Sequence, residues 1–209
     1  MELMPLIAAE RRRMADLVDT LTPEQLAAPS LCTQWTVREV IGHVLAPLVT
    51  RPLSTLPLLA RSGFRLHRFN AELGRLVGDR PPGELAAALR AQAENPFAPP
   101  VVGHFGQLTD LQVHRQDIRR PLGLPADLLP EPLRVSLGFV MSRRAVGFTD
   151  RRRVAGLRFE AADLDWAHGT GPTVRGTGEA LLMALTGRPV ALTDLGGDGA
   201  AVLRGRVAR

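Results

Sequence analysis

The chain has 209 residues, of which 45% are hydrophobic and 22% charged. This is the composition of an ordinary globular protein; it excludes wholesale disorder and leaves room for one large domain or two small ones. The formal charge is +5, from 26 basic and 21 acidic residues. None of the basic residues is lysine and there is no tyrosine, so the pI of 11.1 reflects arginine rather than a large charge. A single cysteine, Cys32, excludes an internal disulfide and a multi-thiolate metal site, and suits a reducing compartment.

In chain order, the first element is a helix. Leu3, Leu6, Ile7, Met14, Leu17 and Val18 recur at helical spacing, and the run ends before Thr22-Pro23. Thr36-Val37-Arg38-Glu39 is a capping box that opens a second helix. It passes through His43 to about Leu45, before prolines 47, 52 and 57 bend or break it. Further helices are predicted over 64–76, from Pro82 to Glu94, from His104 to Arg120 and from Glu131 to Phe148. After Arg151-Arg152-Arg153 the texture changes. Leu157–Ala161 and Leu164–His168 alternate, Thr173–Arg175 makes a third short strand, Gly178–Leu185 is a helix, and Val202–Val207 alternates again. The chain therefore divides near residue 150 into a helical domain (1–150) and a small α+β domain (151–209).

Several function classes lose support at once. No basic helix carries interleaved aromatics, so nucleic acid is not an expected partner. Arg51 and the three prolines interrupt the most apolar run, Val44–Ala60, so no membrane span is expected. Glu2 precedes the arginine triplet at 11–13, the reverse order of a signal peptide. The expectation is a cytoplasmic protein.

The helix around His114 carries the chemistry. With about 100° per residue and His114 as origin, Asp110 falls at about −40° and Asp117 at about −60°. Ile118, at about +40°, and Leu111, at about +60°, share that side. Arg115, Gln112, Gln116 and Arg119 lie opposite and are expected to be solvated. Asp110, His114 and Asp117 thus point inward, where a carboxylate needs a cation. Asp110 and His114, four apart, stack on one face and can share a divalent ion about 2 Å from each; a simple ion pair is the alternative. His43 lies on the apolar side of the capped helix, between Val40 and Val44, and is the best third donor. Two histidines and a carboxylate with an open position describe a catalytic site. Glu39 is explained by its capping role, and Cys32 by packing beside Trp35. His67, His104 and His168 are expected at the surface or in loops.

The stretch from Leu21 through Trp35-Thr-Val-Arg-Glu-Val-Ile-Gly-His43 resembles the opening of the mycothiol-dependent maleylpyruvate isomerase family. The resemblance continues in Asp110-Leu-Gln-Val-His-Arg-Gln-Asp-Ile-Arg-Arg-Pro-Leu-Gly123. It returns at Gly156–Asp163, Asp165-Trp166 and Gly178–Pro189. It implies a DinB-like four-helix bundle followed by a small α+β domain. It also implies a divalent ion, usually zinc, held by His43, Asp110 and His114, with Asp117 orienting a ligand or a water. The family's glutamate is here Asp110, one methylene shorter. The implied chemistry is that of a low-molecular-weight thiol, mycothiol as co-substrate, added to a small-molecule electrophile for isomerisation or S-conjugation. The alternative is a non-catalytic, small-ligand-binding or regulatory member with a weak or lost metal. Arg204 and Arg206, on the expected last strand, are candidates for holding a substrate carboxylate.

Overall fold

A computed structural model describes residues 2–33 and 35–207, with only the backbone of Pro52. Its backbone divides into two compact units, Met1–Ala98 with Asp110–Pro125, and Pro99–Thr109 with Ala126–Arg209. Residue 150, where the sequence texture changes, lies inside the second unit.

The first unit is helical. Helix α1 (Met4–Thr20) buries Ile7, Met14, Leu17 and Val18 at the expected spacing. The short α2 (Pro23–Ala27) is opened by a second capping box, Thr22 with Gln25, which the sequence reading missed. Helix α3 (Val37–Val49) starts at the predicted capping box but does not stop near Leu45. Pro47 lies inside it, and a proline this close to a helix end withholds only one N–H, the one owed to the His43 carbonyl. Pro52 likewise opens α4 (Pro52–Arg61) instead of breaking the chain; this helix contains Pro57 and leaves Leu53 and Leu56 exposed. Helices α5 (Leu66–Gly78) and α6 (Pro82–Ala91) follow close to their predicted positions.

Two features tie these helices together. At the seam of α3 and α5, glycine faces glycine. A Cβ on Gly42 would run into the Gly74 carbonyl oxygen and stand 2.7 Å from the Gly78 Cα, and one on Gly78 would stand 2.6 Å from the Arg38 carbonyl. Bare backbone is thus what lets the two helices approach. At the other side, the fully buried Arg11 of α1 donates through one nitrogen to the carbonyls of Gln92 (2.9 Å), Ala93 (2.8 Å) and Asn95 (2.7 Å) beyond the end of α6. Burial pushes this guanidinium down to about 10, against the pull of Glu94, so it stays charged at neutral pH.

Helix α7 (Gly103–Arg119) has 17 residues, as many as α1. Every residue from Leu111 to Ile118 is buried. The predicted solvated side is therefore corrected: Gln112, Arg115 and Gln116 are fully buried. Arg115 is inside because Glu10 of α1 meets it at 2.5 Å, both side chains being about 1% exposed. Buried charges in proteins are paired in this way.

The second unit contains α8 (Pro130–Met141), which ends well before the predicted Phe148, and the single-turn α9 (Arg151–Val154). Its sheet has the order β2-β1-β3, with β1 (Arg158–Ala161) antiparallel to β2 (Ala167–His168) and parallel to β3 (Thr173–Gly176). Phe159 pairs with both His168 and Val174 in this register. Helix α10 (Gly178–Leu185), capped by Thr177, is buried along its whole length. The predicted last strand is wrong. Residues Asp198–Val207 form helix α11, with Gly199, Ala200 and Leu203 inward at helical spacing. The apparent alternation of Val202–Val207 is what an i, i+4 pattern looks like over six residues. Among the described residues, no helix is long and apolar enough to cross a membrane.

Candidate metal centre

The first unit brings the candidate donors together from two helices and one loop. Thr36 fixes the start of α3: its hydroxyl accepts from the Glu39 amide at 3.4 Å, and Glu39 Oε2 accepts from the Thr36 amide at 2.7 Å. The remaining oxygen, Glu39 Oε1, accepts from Arg75 at 2.7 Å, so Glu39 is committed to the cap and to α5, as the capping box implied. One turn later α3 presents His43. Its ring lies 5.0 Å from that of His114, edge to face at 81°, and 4.9 Å from that of Trp35.

On α7, the two carboxylates take opposite edges of one imidazole. Asp110 Oδ1 is 3.3 Å from His114 Nε2, and Asp117 Oδ2 is 2.9 Å from His114 Nδ1. The i, i+4 and i, i+3 spacings make this possible. Burial follows the same order, with Asp117 sealed off, His114 7% exposed and Asp110 half-buried.

The structure adds a residue that the sequence reading set aside. Cys32 does not simply pack against Trp35: its thiol donates to Asp117 Oδ2 at 3.1 Å and lies 3.6 Å from His114 Nδ1. Its loop is pinned to α7 by the Leu31 amide, which donates to the Asp117 carbonyl at 3.0 Å. Its partners lie 82 and 85 residues away, so no local periodicity signals the contact. The thiol's place next to the capped helix was the only sequence clue.

The two histidines differ in basicity. Burial pushes His43 down to about 4, helped by the neighbouring His114 charge and opposed by Asp110. It therefore offers a neutral nitrogen at physiological pH. Burial also works against a charged His114, but the Asp110 carboxylate and hydrogen bonds with Asp110, Asp117 and Cys32 outweigh it and hold this imidazole well above its ordinary value. An ion arriving at Nε2 must displace that proton.

The donor set suits a divalent ion. One ligand atom each from His43, Asp110 and His114 lies within 4.8 Å of the others. Two donors about 2 Å from a tetrahedral ion stand about 3.3 Å apart, close to the Asp110–His114 separation. Asp117 on Nδ1 leaves Nε2 to face Asp110, the carboxylate–histidine arrangement that orients metal-binding imidazoles. His67 and His168 are exposed and His104 is half-buried; His168 stacks on Trp166. Arg204 and Arg206 do not lie on a strand as anticipated. Both lie on α11 and donate to backbone carbonyls, Arg204 to Leu192 and Leu195, Arg206 to Arg153 and Ala155.

Residues 7–98 match the family model for the mycothiol maleylpyruvate isomerase N-terminal domain. Over this segment the chain carries the N-terminal domain of the mycothiol maleylpyruvate isomerase family. The matched segment contains Cys32 and His43 and ends before Asp110 and His114. No curated protein and no solved structure matches the chain.

Proposed function

We propose that the protein is a metal-dependent enzyme that uses a low-molecular-weight thiol, mycothiol, to isomerise or S-conjugate a small electrophile in the cytoplasm. In this reading the first unit is a DinB-like four-helix bundle, His43, Asp110 and His114 hold a zinc ion, and Asp117 positions His114. The observation that carries it is the convergence of three donors from α3 and α7, backed by Asp117, in a chain whose N-terminal domain is of the mycothiol family. When bound, the ion would supply Lewis acidity that lowers the pKa of a thiol sulfur.

The chain's own residues prepare for that. His43 keeps a lone pair at neutral pH because burial suppresses its protonation. Asp117 fixes the His114 tautomer and ring plane. Trp35, tilted over His43 with ring centres 4.9 Å apart, covers one side of the donors with apolar surface and limits water there. Cys32 stands behind His114, on the Nδ1 side and not the Nε2 side, so in this reading the reacting thiol is brought by the co-substrate.

Metal content is the test. Elemental analysis of untagged protein is expected to find about one ion per chain, lost in both His43→Ala and His114→Ala, and consumption of mycothiol with electrophilic substrates is expected to follow. No bound metal together with no uptake on titration would overturn the proposal. Stoichiometric metal without any thiol consumption would support the non-catalytic, ligand-binding reading instead.

A further inference from the structure

His114 has two edges, and only one of them belongs to the site proposed above. We propose that the other edge, with Cys32 and Asp117, forms a second metal-binding set that takes a thiophilic divalent cation such as cadmium. This goes beyond the reaction proposed for His43 and Asp110 and does not depend on catalysis.

The geometry is that of a compact three-donor cluster. Cys32 Sγ, His114 Nδ1 and Asp117 Oδ2 stand 2.9, 3.1 and 3.6 Å from one another. Donors sharing one tetrahedral ion stand about 3.3–3.6 Å apart when sulfur is about 2.3 Å and nitrogen or oxygen about 2 Å from it. The hydrogen-bonded triangle needs only a small expansion to admit an ion. Three different side chains, one soft and two harder, select thiophilic borderline ions over magnesium or calcium. Asp117 is sealed and His114 nearly so, whereas Cys32 is half-buried; an ion therefore enters from the thiol side.

Proton accounting makes the two sets alternatives. Binding in the second set forms bonds from the ion to Sγ, Nδ1 and Oδ2. The Cys32 thiol proton and the Nδ1 proton leave to solvent, and a neutral His114 then carries its remaining proton on Nε2, facing Asp110 Oδ1 at 3.3 Å. An ion on Nε2 requires the opposite tautomer, with Nδ1–H donating to Asp117. One neutral imidazole serves one set at a time, so a thiophilic ion competes with the resident one through His114 alone.

The chain's single cysteine makes the test direct, because any thiolate–metal signal comes from Cys32. Chelator-treated full-length protein is titrated with cadmium while the ultraviolet thiolate-to-cadmium charge-transfer band is followed. The expected result is a band that saturates at one ion per chain in the parent protein and in His43→Ala. It is absent in Cys32→Ser and needs at least tenfold more cadmium in His114→Gln and in Asp117→Asn, where circular dichroism shows the variant folded. Zinc added beforehand is expected to raise the cadmium needed for the band by a larger factor in the parent than in His43→Ala. The proposal is overturned by no band in the parent, by a band indifferent to His114→Gln, or by a band lost in His43→Ala. The last result would make Cys32 a further donor to the first set. Failure of the first set, by contrast, is read from zinc content and leaves the cadmium band in place.

Discussion

At the scale of the residue, the two imidazoles of the site respond to pH in opposite senses. In ion-free protein, His43 in the unfolded chain takes its proton near the ordinary value of about 6.5, whereas the folded one waits until about 4. As pH falls through that window the unfolded state binds the proton first. His43 therefore removes stability toward acid, by roughly 3 kcal/mol once both states have titrated. His114 is raised, so its contribution is complete below the unfolded value and is lost as pH rises through the folded one. Chelator-treated His43→Gln is expected to lose less Tm than the parent between pH 6.5 and 4, measured by circular dichroism. A parallel loss in both proteins would refute this. A second expectation concerns Glu10 and Arg115. Glu10→Gln takes the carboxylate from this buried pair and is expected to cost about 3–5 kcal/mol, while Glu10→Met with Arg115→Met recovers most of it; urea midpoints check both. That pair also shows what spacing reveals and what it does not. The inward direction of Asp110, His114 and Asp117 is legible from helical angles, but the same angles turn Arg115, Gln112 and Gln116 toward water. All three are buried. A helix buried on every side has no solvent face to reason from, and the carboxylate on α1 that meets this arginine lies more than a hundred residues away.

At the scale of the element, the glycines of the α3–α5 seam and those elsewhere predict opposite outcomes. Gly42→Ala places a methyl on the Gly74 carbonyl and forces α3 off α5. A loss of more than about 3 kcal/mol is expected, with weakened metal retention because His43 moves with its helix. Gly138→Ala, in the exposed middle of α8 with nothing within 4 Å of the new carbon, is expected to gain up to about 1 kcal/mol. Thermal melts of the two variants settle the contrast. Signals of this local kind were what the sequence made readable. The Thr36 capping box, Pro82 at the head of α6 and the spacing of α1 all act within a few residues. Elements decided by distant contacts were missed. Pro47 and Pro57 stay inside helices, and residues 198–207 turn helical where Gly199 fits against the Pro172 carbonyl, leaving no room for a Cβ. A six-residue alternation cannot carry that information.

At the scale of the whole molecule, α7 belongs to both units, its first turns to one and Asp110 onward to the other. Opening the middle of a helix breaks the backbone ladder on both sides, so the units are expected to melt together. The two tryptophans allow a clean check, since Trp35 lies in the first unit and Trp166 in the second. Trp166→Phe and Trp35→Phe leave one reporter each, and their fluorescence midpoints in denaturant are expected to coincide. Separated midpoints would show that α7 does not couple the units.

The Arg11 clasp has a consequence for the chain as it is made. Arg11 reaches carbonyls 81 to 84 residues downstream, so α1 leaves the ribosome with a guanidinium that finds its seat only after Asn95 has emerged. Contacts of such long sequence separation form late. The candidate site needs still more chain, because Cys32 and His43 meet Asp110, His114 and Asp117 only when α7 is complete. A nascent segment ending near residue 98 thus carries the matched family domain with His43 but none of its partners on α7, and the candidate donor set is complete only in the longer polypeptide.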